Sequence, residues 1–287
     1  MSRSNLKLHF DYESFELSSR NNSLISAFCN AFSEEALAPN SSIPDRSCRH
    51  IGINGKGCNF EVEWEGLVLP FRSFEEAAYL VMRIMSDSFV SQVSEDRLVM
   101  HAATAACGGT AVLFSGLPGS GKTSLALAFS KFDGFVGDEC AYVDLPTASV
   151  RHEAFPFQLK KRNVDMLSLY AGDFKLDVHE RSIGDSCYLP LSALKRCTKN
   201  WIPLSTIVFP SYVPENGPCV ISRACSKKLP ELILNSLIGP SKPAKTLASF
   251  ISMCGIHGIR FYEVVYSNTA EGAKTLHEFL QRERETE

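Results

Sequence analysis

Apolar and polar positions switch between two periods along this chain. "LKLHF" and "SFELSS" near the start alternate with period two, as half-buried strands do. "SLISAFCNAFSEEAL" at 23–37 then carries apolar residues at helical spacing. "APNSSIPDRS" at 38–47 is rich in Pro, Ser and Asn and reads as a loop. "HIGINGKG", "FEVEW" and "LVLPF" predict three more strands, with a turn signal in "NGKG" at 54–57. "SFEEAAYLVMRIMSDSFVSQV" at 73–93 predicts an amphipathic helix with Ser73 as cap and Glu76 at the capping-box position.

The second part begins with "RLVMHAATAACGGTAVLFSG", which predicts strands over 98–106 and 111–115 joined by a tight Gly-Gly turn. A glycine-rich loop follows, then a helix over about 122–131 and a strand over 135–143. Further strands fit "TIVFP" (206–210) and "GIRFYEVVY" (258–266), and further helices fit "LPELILNSLIG" and "TAEGAKTLHEFLQRE". No internal repeat or low-complexity segment interrupts the pattern. The organisation expected is an N-terminal α+β part over 1–94 and a larger α/β domain over 95–287.

Composition narrows the class. The chain has 287 residues, 45% of them apolar, enough for one large α/β domain with a small companion. Its formal net charge of −3 gives no overall basic excess for nucleic acid. A local basic cluster, "LKKR" at 159–162, reads either as a solvated face or as cations that meet phosphate or an acidic partner. Ten scattered cysteines form no C-x-x-C pair and no zinc-finger spacing with His. The N-terminus shows no signal-peptide pattern, and no apolar run reaches the roughly 18 residues that span a bilayer. The expectation is a cytoplasmic protein with free thiols and no membrane partner.

The chemistry concentrates at 116–139, "GLPGSGKTSLALAFSKFDGFVGDE". Gly116, Leu117, Pro118, Gly119, Ser120, Gly121, Lys122 and Thr123 fit G-x-x-x-x-G-K-[ST] without mismatch. Glycines let successive backbone N–H groups converge on one anion, and the following helix adds its positive end. Lys122 supplies a point charge for the β- and γ-phosphates of a nucleoside triphosphate, and Thr123 a hydroxyl for Mg²⁺. Pro118, Ser120 (acting through its backbone) and Ser124 complete the expected nucleotide-contacting set. The preceding strand "AVLFS" and following helix "TSLALAF" give the motif its required context.

Asp138 and Glu139 follow only one helix later. A phosphoryl-transfer site needs an acid to hold metal and a carboxylate to take the acceptor's proton. Asp138 is the choice for the metal side and Glu139 for the base, although both are candidate metal ligands and the roles are interchangeable. In an extended strand the two side chains point to opposite faces. A strand end or a bend is therefore required for both to reach one site, and Gly137 is a residue at which the chain can bend.

These residues resemble the nucleotide-binding core of the HPr kinase/phosphorylase family and its HPr-kinase-like relatives, with ATP-dependent phosphoenolpyruvate carboxykinases as more distant kin. The likeness is clear over about 98–145: a strand carrying a His (His101), a hairpin, the glycine loop, one helix and an acidic pair. "FPFQLKKR" at 155–162 resembles a Pro-rich stretch ending in Leu-Lys, and "IVFPSY" at 207–212 a later strand ending in Phe-Pro. The resemblance implies an α/β fold with a P-loop core and mixed β-sheet. It implies ATP (or another nucleoside triphosphate) and Mg²⁺ as cofactors, and a homo-oligomer. It also implies a role for His101 near the γ-phosphate or acceptor, and points to Lys160, with Arg162, as cations that neutralise transferring charge.

HPr-phosphorylating enzymes carry Asp-Asp where this chain has Asp138-Glu139, and an Arg-Gly-rich signature that "HERSIGD" at 179–185 does not match. The expected activity is therefore transfer of the γ-phosphoryl group to a hydroxyl of a peptide, protein or small metabolite, rather than to HPr. The alternative is a nucleotide-dependent binding or switch protein with slow hydrolysis and no phosphoryl acceptor. The N-terminal part is expected to recruit substrate, by strand addition to a sheet edge.

Overall fold

The computed structural model describes residues 3–9, 14–32, 37, 48–91, 96–152, 155–160, 182–183, 186–189, 201–215, 217–238 and 243–286. The chain is mixed α/β, with six helices and sheets of mixed strand direction among these residues. Elements are numbered in chain order. Two compact units form. The first gathers the described residues of Met1–Gln92, Glu153–Val164 and Phe174–Ala193; the second gathers those of Val93–His152, Asp165–Asp173 and Leu194–Glu287. No helix among the described residues is long and apolar enough to cross a membrane.

In the first unit, β1 (Ser4–His9), β2 (Ser14–Ser19), β3 (Cys48–Lys56), β4 (Asn59–Trp64) and β5 (Leu67–Phe71) pair in sequence order. The β2–β3 pair is parallel and the rest are antiparallel. Alternation works as the period predicts: Phe60 and Val62 of β4 are buried while Glu61 and Glu63 face out. The helices α1 (Asn22–Ala31) and α2 (Phe74–Ser91) supply the apolar cover. Phe74 meets Phe28 and Phe60 with ring centroids 6.1 and 6.0 Å apart. Ser73 caps α2 by accepting the Glu76 N–H at 3.2 Å, and Glu76 returns to accept the Arg72 N–H.

The β3–β4 turn falls at the end of "NGKG" rather than on its Asn-Gly pair. Register pairs Lys56 with Asn59, so the two-residue turn is Gly57–Cys58. Gly55 stays within the strand at φ 146°, where a Cβ would collide with the Asn59 and Phe60 backbone. Three short strands, β11 (Phe157–Lys160), β12 (Ser182–Ile183) and β13 (Ser186–Leu189), form a separate antiparallel sheet in the same unit.

The second unit is built on β6 (Arg97–Cys107), β7 (Thr110–Ser115), β8 (Phe135–Gly137), β9 (Cys140–Asp144), β10 (Ser149–His152), β14 (Ile202–Tyr212), β15 (Val220–Arg223) and β16 (Arg260–Tyr266). The strand order is β10-β9-β6-β7-β14-β16-β15, with β8 also on β6. The strands β7, β14 and β16 run parallel, and the other pairs are antiparallel. At its far edge β10 also pairs with β14, through Ser149–Pro203 and Val150–Ile202. The enclosed face carries the core: Leu98, Met100, Leu113, Val143, Val150, Ile207 and Phe250 are all 3% exposed or less.

The predicted β6–β7 hairpin forms, with Gly108 and Gly109 both at positive φ (54° and 81°), as a tight two-residue turn between twisted strands demands. The helix α3 (Lys122–Asp133) follows the glycine loop. Three more helices complete the unit: α4 (Leu229–Leu234), α5 (Pro243–Ile256) and α6 (Thr269–Glu285). Asn268 caps α6 by accepting the N–H groups of Ala270 and Glu271. The helix α5 was not expected from sequence. Its "LASFISMCGI" is apolar on most sides, so the helical period is faint.

Candidate functional site

The glycine loop leaves β7 at Ser115 and enters α3 at Lys122. Gly116, Gly119 and Gly121 take φ of 140°, 84° and 94°, the left-handed side that side-chain-bearing residues avoid. Gly121 is the N-terminal cap of α3, and a Cβ there would collide with the Tyr266 hydroxyl. That hydroxyl donates instead to the Gly121 carbonyl at 3.1 Å. Tyr212 packs edge-on against Tyr266, and its N–H donates to the Ser120 carbonyl at 3.1 Å. The ends of the parallel strands β14 and β16 thus hold the loop from below.

Leu117, Pro118 and Gly119 form an exposed rim. Beneath it, the Lys122 side chain is only 6% exposed and its ammonium donates to the carbonyls of Gly116 (2.9 Å) and Leu117 (3.1 Å). Burial lowers its pKa, and the charges of Asp138 and Glu139 oppose that. The Ser120 hydroxyl is buried beside Gly116 without a hydrogen-bond partner. Ser124 is half-buried in the first turn of α3.

The acids arrive where the sheet breaks. Residues 135–143 do not form one strand: β8 ends at Gly137, β9 starts at Cys140, and Asp138–Glu139 bend between them without changing the register against β6; the register shift falls earlier, between Phe135 and Gly137. Gly137 does not supply the bend. Glu139 does, at φ 68°, a conformation that costs a non-glycine residue free energy and concentrates at functional sites. Gly137 serves another need, because any Cβ on it would collide with the buried His152 ring.

The bend sends the two side chains to different partners. Asp138 is 6% exposed and accepts from the Thr123 hydroxyl at 3.2 and 3.4 Å. Burial, reinforced by the neighbouring Glu139 charge, pushes its pKa up to about 7; the Glu139 amide, His101 and Thr123 only partly counter this. Glu139 is half-exposed and meets His101, with 3.2 Å between its Oε2 and His101 Nδ1. That hydrogen bond raises the His101 pKa, with burial working the other way. The structure therefore brings Lys122, Thr123, Asp138, Glu139 and His101 into one connected cluster at the loop.

Lys160 belongs to a different unit from that cluster. It is the exposed last residue of β11, in the first unit. Arg162 lies outside the described residues.

Besides Tyr266, two more buried residues escaped the sequence reading. The Ser236 hydroxyl accepts from the Ser115 hydroxyl (2.6 Å) and the Gly116 N–H (3.2 Å), and its carbonyl accepts the His101 N–H (2.6 Å). One fully buried serine after α4 thus ties the loop's first residue to the strand of His101. His152 contacts the Asp138 carbonyl through Nδ1 (3.3 Å) and the Thr104 hydroxyl through Nε2 (2.7 Å), so it props the bend from β10. Neither "NSLIG" nor "SVRH" announces such a role, because both partnerships cross more than ten residues of chain.

Chemically, the cluster combines a glycine loop at a positive helix end, a buried ammonium, a hydroxyl set against a buried carboxyl, and a second carboxylate paired with an imidazole. The first two features suit an anion, and the hydroxyl–carboxyl pair suits a hard cation. Against known proteins, no family model matches the chain, and no curated protein matches it significantly.

Proposed function

We propose that this chain is an ATP- and Mg²⁺-dependent kinase with a P-loop core of the HPr kinase and phosphoenolpyruvate carboxykinase type. It transfers the γ-phosphoryl group to a hydroxyl of a peptide, a protein or a small metabolite. The observation that carries this reading is the 3.2 Å contact between Thr123 and Asp138, which joins the glycine loop to an acid only one helix away. The residues present also fit the groups required. Ser120 holds an unpartnered buried hydroxyl in the loop, and the Lys122 ammonium rests on loop carbonyls, where a phosphate would give it a charged partner.

Thr123 and Asp138 would hold Mg²⁺, which when bound supplies positive charge to the β- and γ-phosphate oxygens. Asp138, pushed up to about 7, gives up its proton as a cation binds. Lys122 orients the phosphates and neutralises their charge. Glu139, more exposed than Asp138 and oriented by His101, accepts the proton of the acceptor hydroxyl. In the transfer, the acceptor oxygen bonds to the γ-phosphorus and the bond from that phosphorus to the β–γ bridging oxygen breaks. The first unit, chiefly residues 1–92, recruits the acceptor, and the second unit carries the chemistry.

The test is direct. The chain is incubated with γ-labelled ATP, Mg²⁺ and a panel of peptides, proteins and small alcohols. Label should appear on an acceptor hydroxyl and fall by about 10²–10⁴ in Glu139→Gln, as loss of a general base predicts. Acceptor labelling that is unchanged in both Glu139→Gln and Asp138→Asn overturns the assignment.

A further inference from the structure

A second cluster lies at the opposite end of α3 from the glycine loop. Cys107 ends β6, Asp133 ends α3, and His277 sits within α6. Their sulfur, carboxylate and imidazole donor atoms all lie within 4.8 Å of one another. Cys107 is fully buried, and the His277 and Asp133 side chains are 12% and 37% exposed.

The donors are held in place by groups other than one another. The Gly108 N–H donates to Asp133 Oδ2 at 2.8 Å. The His277 ring stacks on Phe132, with centroids 4.2 Å apart and planes 13° apart, and meets Phe129 edge-on. Yet His277 Nε2 and Asp133 Oδ2 stand 3.9 Å apart, too far for a hydrogen bond. They face each other across a gap whose size suits an ion. The C-terminal end of α3 adds its negative pole to the same spot.

We propose that Cys107, Asp133 and His277 form a site for a zinc-class divalent cation. The donor set selects the class: thiolate and imidazole favour zinc over magnesium or calcium, and the carboxylate is a common third ligand. Thiolate and carboxylate together balance the charge of the ion. Burial, with the Asp133 charge, pushes the Cys107 thiol up, and Arg284 only partly opposes this. Its guanidinium donates to the Cys107 side chain and also to the Cys107 carbonyl (2.5 Å) and Thr110 hydroxyl (2.7 Å). As the ion binds, the Cys107 thiol releases its proton to solvent. Gln281, whose side-chain nitrogen lies 3.4 Å from His277 Nε2, offers a fourth donor once its amide is turned, and water offers another. The bound ion would tie the β6–β7 hairpin and the end of α3 to the C-terminal helix, a structural role separate from the phosphate chemistry.

The test uses the full chain, stripped of metal and kept in excess Mg²⁺ so that the Thr123–Asp138 pair does not compete. Co²⁺ is titrated in and then displaced by Zn²⁺. A single equivalent should produce a near-ultraviolet thiolate-to-cobalt band and the intense visible bands of a tetrahedral ion, and Zn²⁺ should abolish both. Cys107→Ser should remove the thiolate band, and His277→Gln should weaken Zn²⁺ binding at least about 10-fold. Cys225→Ser, at an exposed thiol elsewhere, should change neither. Zn²⁺ should raise the Tm of the parent chain but not of His277→Gln, which carries the test alone if Cys107→Ser fails to fold. Absence of a thiolate band at one equivalent, or a band that survives loss of His277 and is removed by Cys225→Ser, overturns the proposal.

Discussion

Asp138→Asn should make the metal-free protein more stable at neutral and alkaline pH. Asp138 is almost fully buried, and its carboxyl is moved from an ordinary value of 3.8 to about 7. At 1.36 kcal/mol per pH unit, the folded protein prefers the protonated acid over the carboxylate by about 4 kcal/mol. The folded state thus binds more protons than the unfolded chain between about pH 4 and pH 7, so stability falls as pH rises through that window. Asparagine is neutral throughout and keeps an oxygen to accept from Thr123. Interaction with Glu139 and His101 spreads the effect over the cluster, so the gain at pH 8 should be about 1–3 kcal/mol rather than the full figure. At about 2–4 °C per kcal/mol, that is a rise of several degrees in Tm. The assay is thermal unfolding of both proteins in chelator at pH 4.5 and pH 8, then at pH 8 with Mg²⁺. Near-equal Tm values at pH 4.5, a gap favouring Asp138→Asn at pH 8, and a narrowing of that gap by Mg²⁺ are expected. A variant less stable than the parent at pH 8 in chelator would refute the reasoning, because it would make Asp138 a stabilising residue rather than a strained one.

Gly121→Ala should destabilise the second unit and weaken nucleotide binding together, since the new methyl meets the Tyr266 hydroxyl at φ 94°; Tyr266→Phe in the same chain should restore part of both, read by Tm and calorimetry. Ser236→Ala leaves the Ser115 hydroxyl and the Gly116 N–H without their shared acceptor, at a cost of about 1–3 kcal/mol in chemical denaturation. His152→Ala removes the prop under the bend at Asp138–Glu139 and should lower activity through a changed pH profile of turnover, while nucleotide affinity stays within about threefold; the conservative His152→Asn should recover part of the loss.

What the sequence disclosed follows from the range of the forces involved. The glycine loop, the Gly108–Gly109 hairpin and the capped helices α2 and α6 are written in neighbouring residues, because turn and cap chemistry act within a few positions. The kinship of Asp138 and Glu139 with the loop was also visible, as a spacing. How both acids reach one site was not. The bend falls on Glu139, an unfavourable residue for positive φ, and Gly137 is small for the sake of His152. Ser236, His152 and Tyr266 were invisible because each acts on residues far away in the chain, through sheet order alone.

The central claim is that loop and acids form one site for phosphate and metal. Titrating ATP into the chain with and without Mg²⁺, and repeating it with Thr123→Ala and Asp138→Asn, tests this most directly. The account predicts that Mg²⁺ tightens ATP binding at least about 10-fold in the parent chain, and that either substitution removes most of that gain while leaving metal-free binding nearly intact. Equal Mg²⁺ enhancement in all three proteins, or no ATP binding by the parent chain, would contradict it.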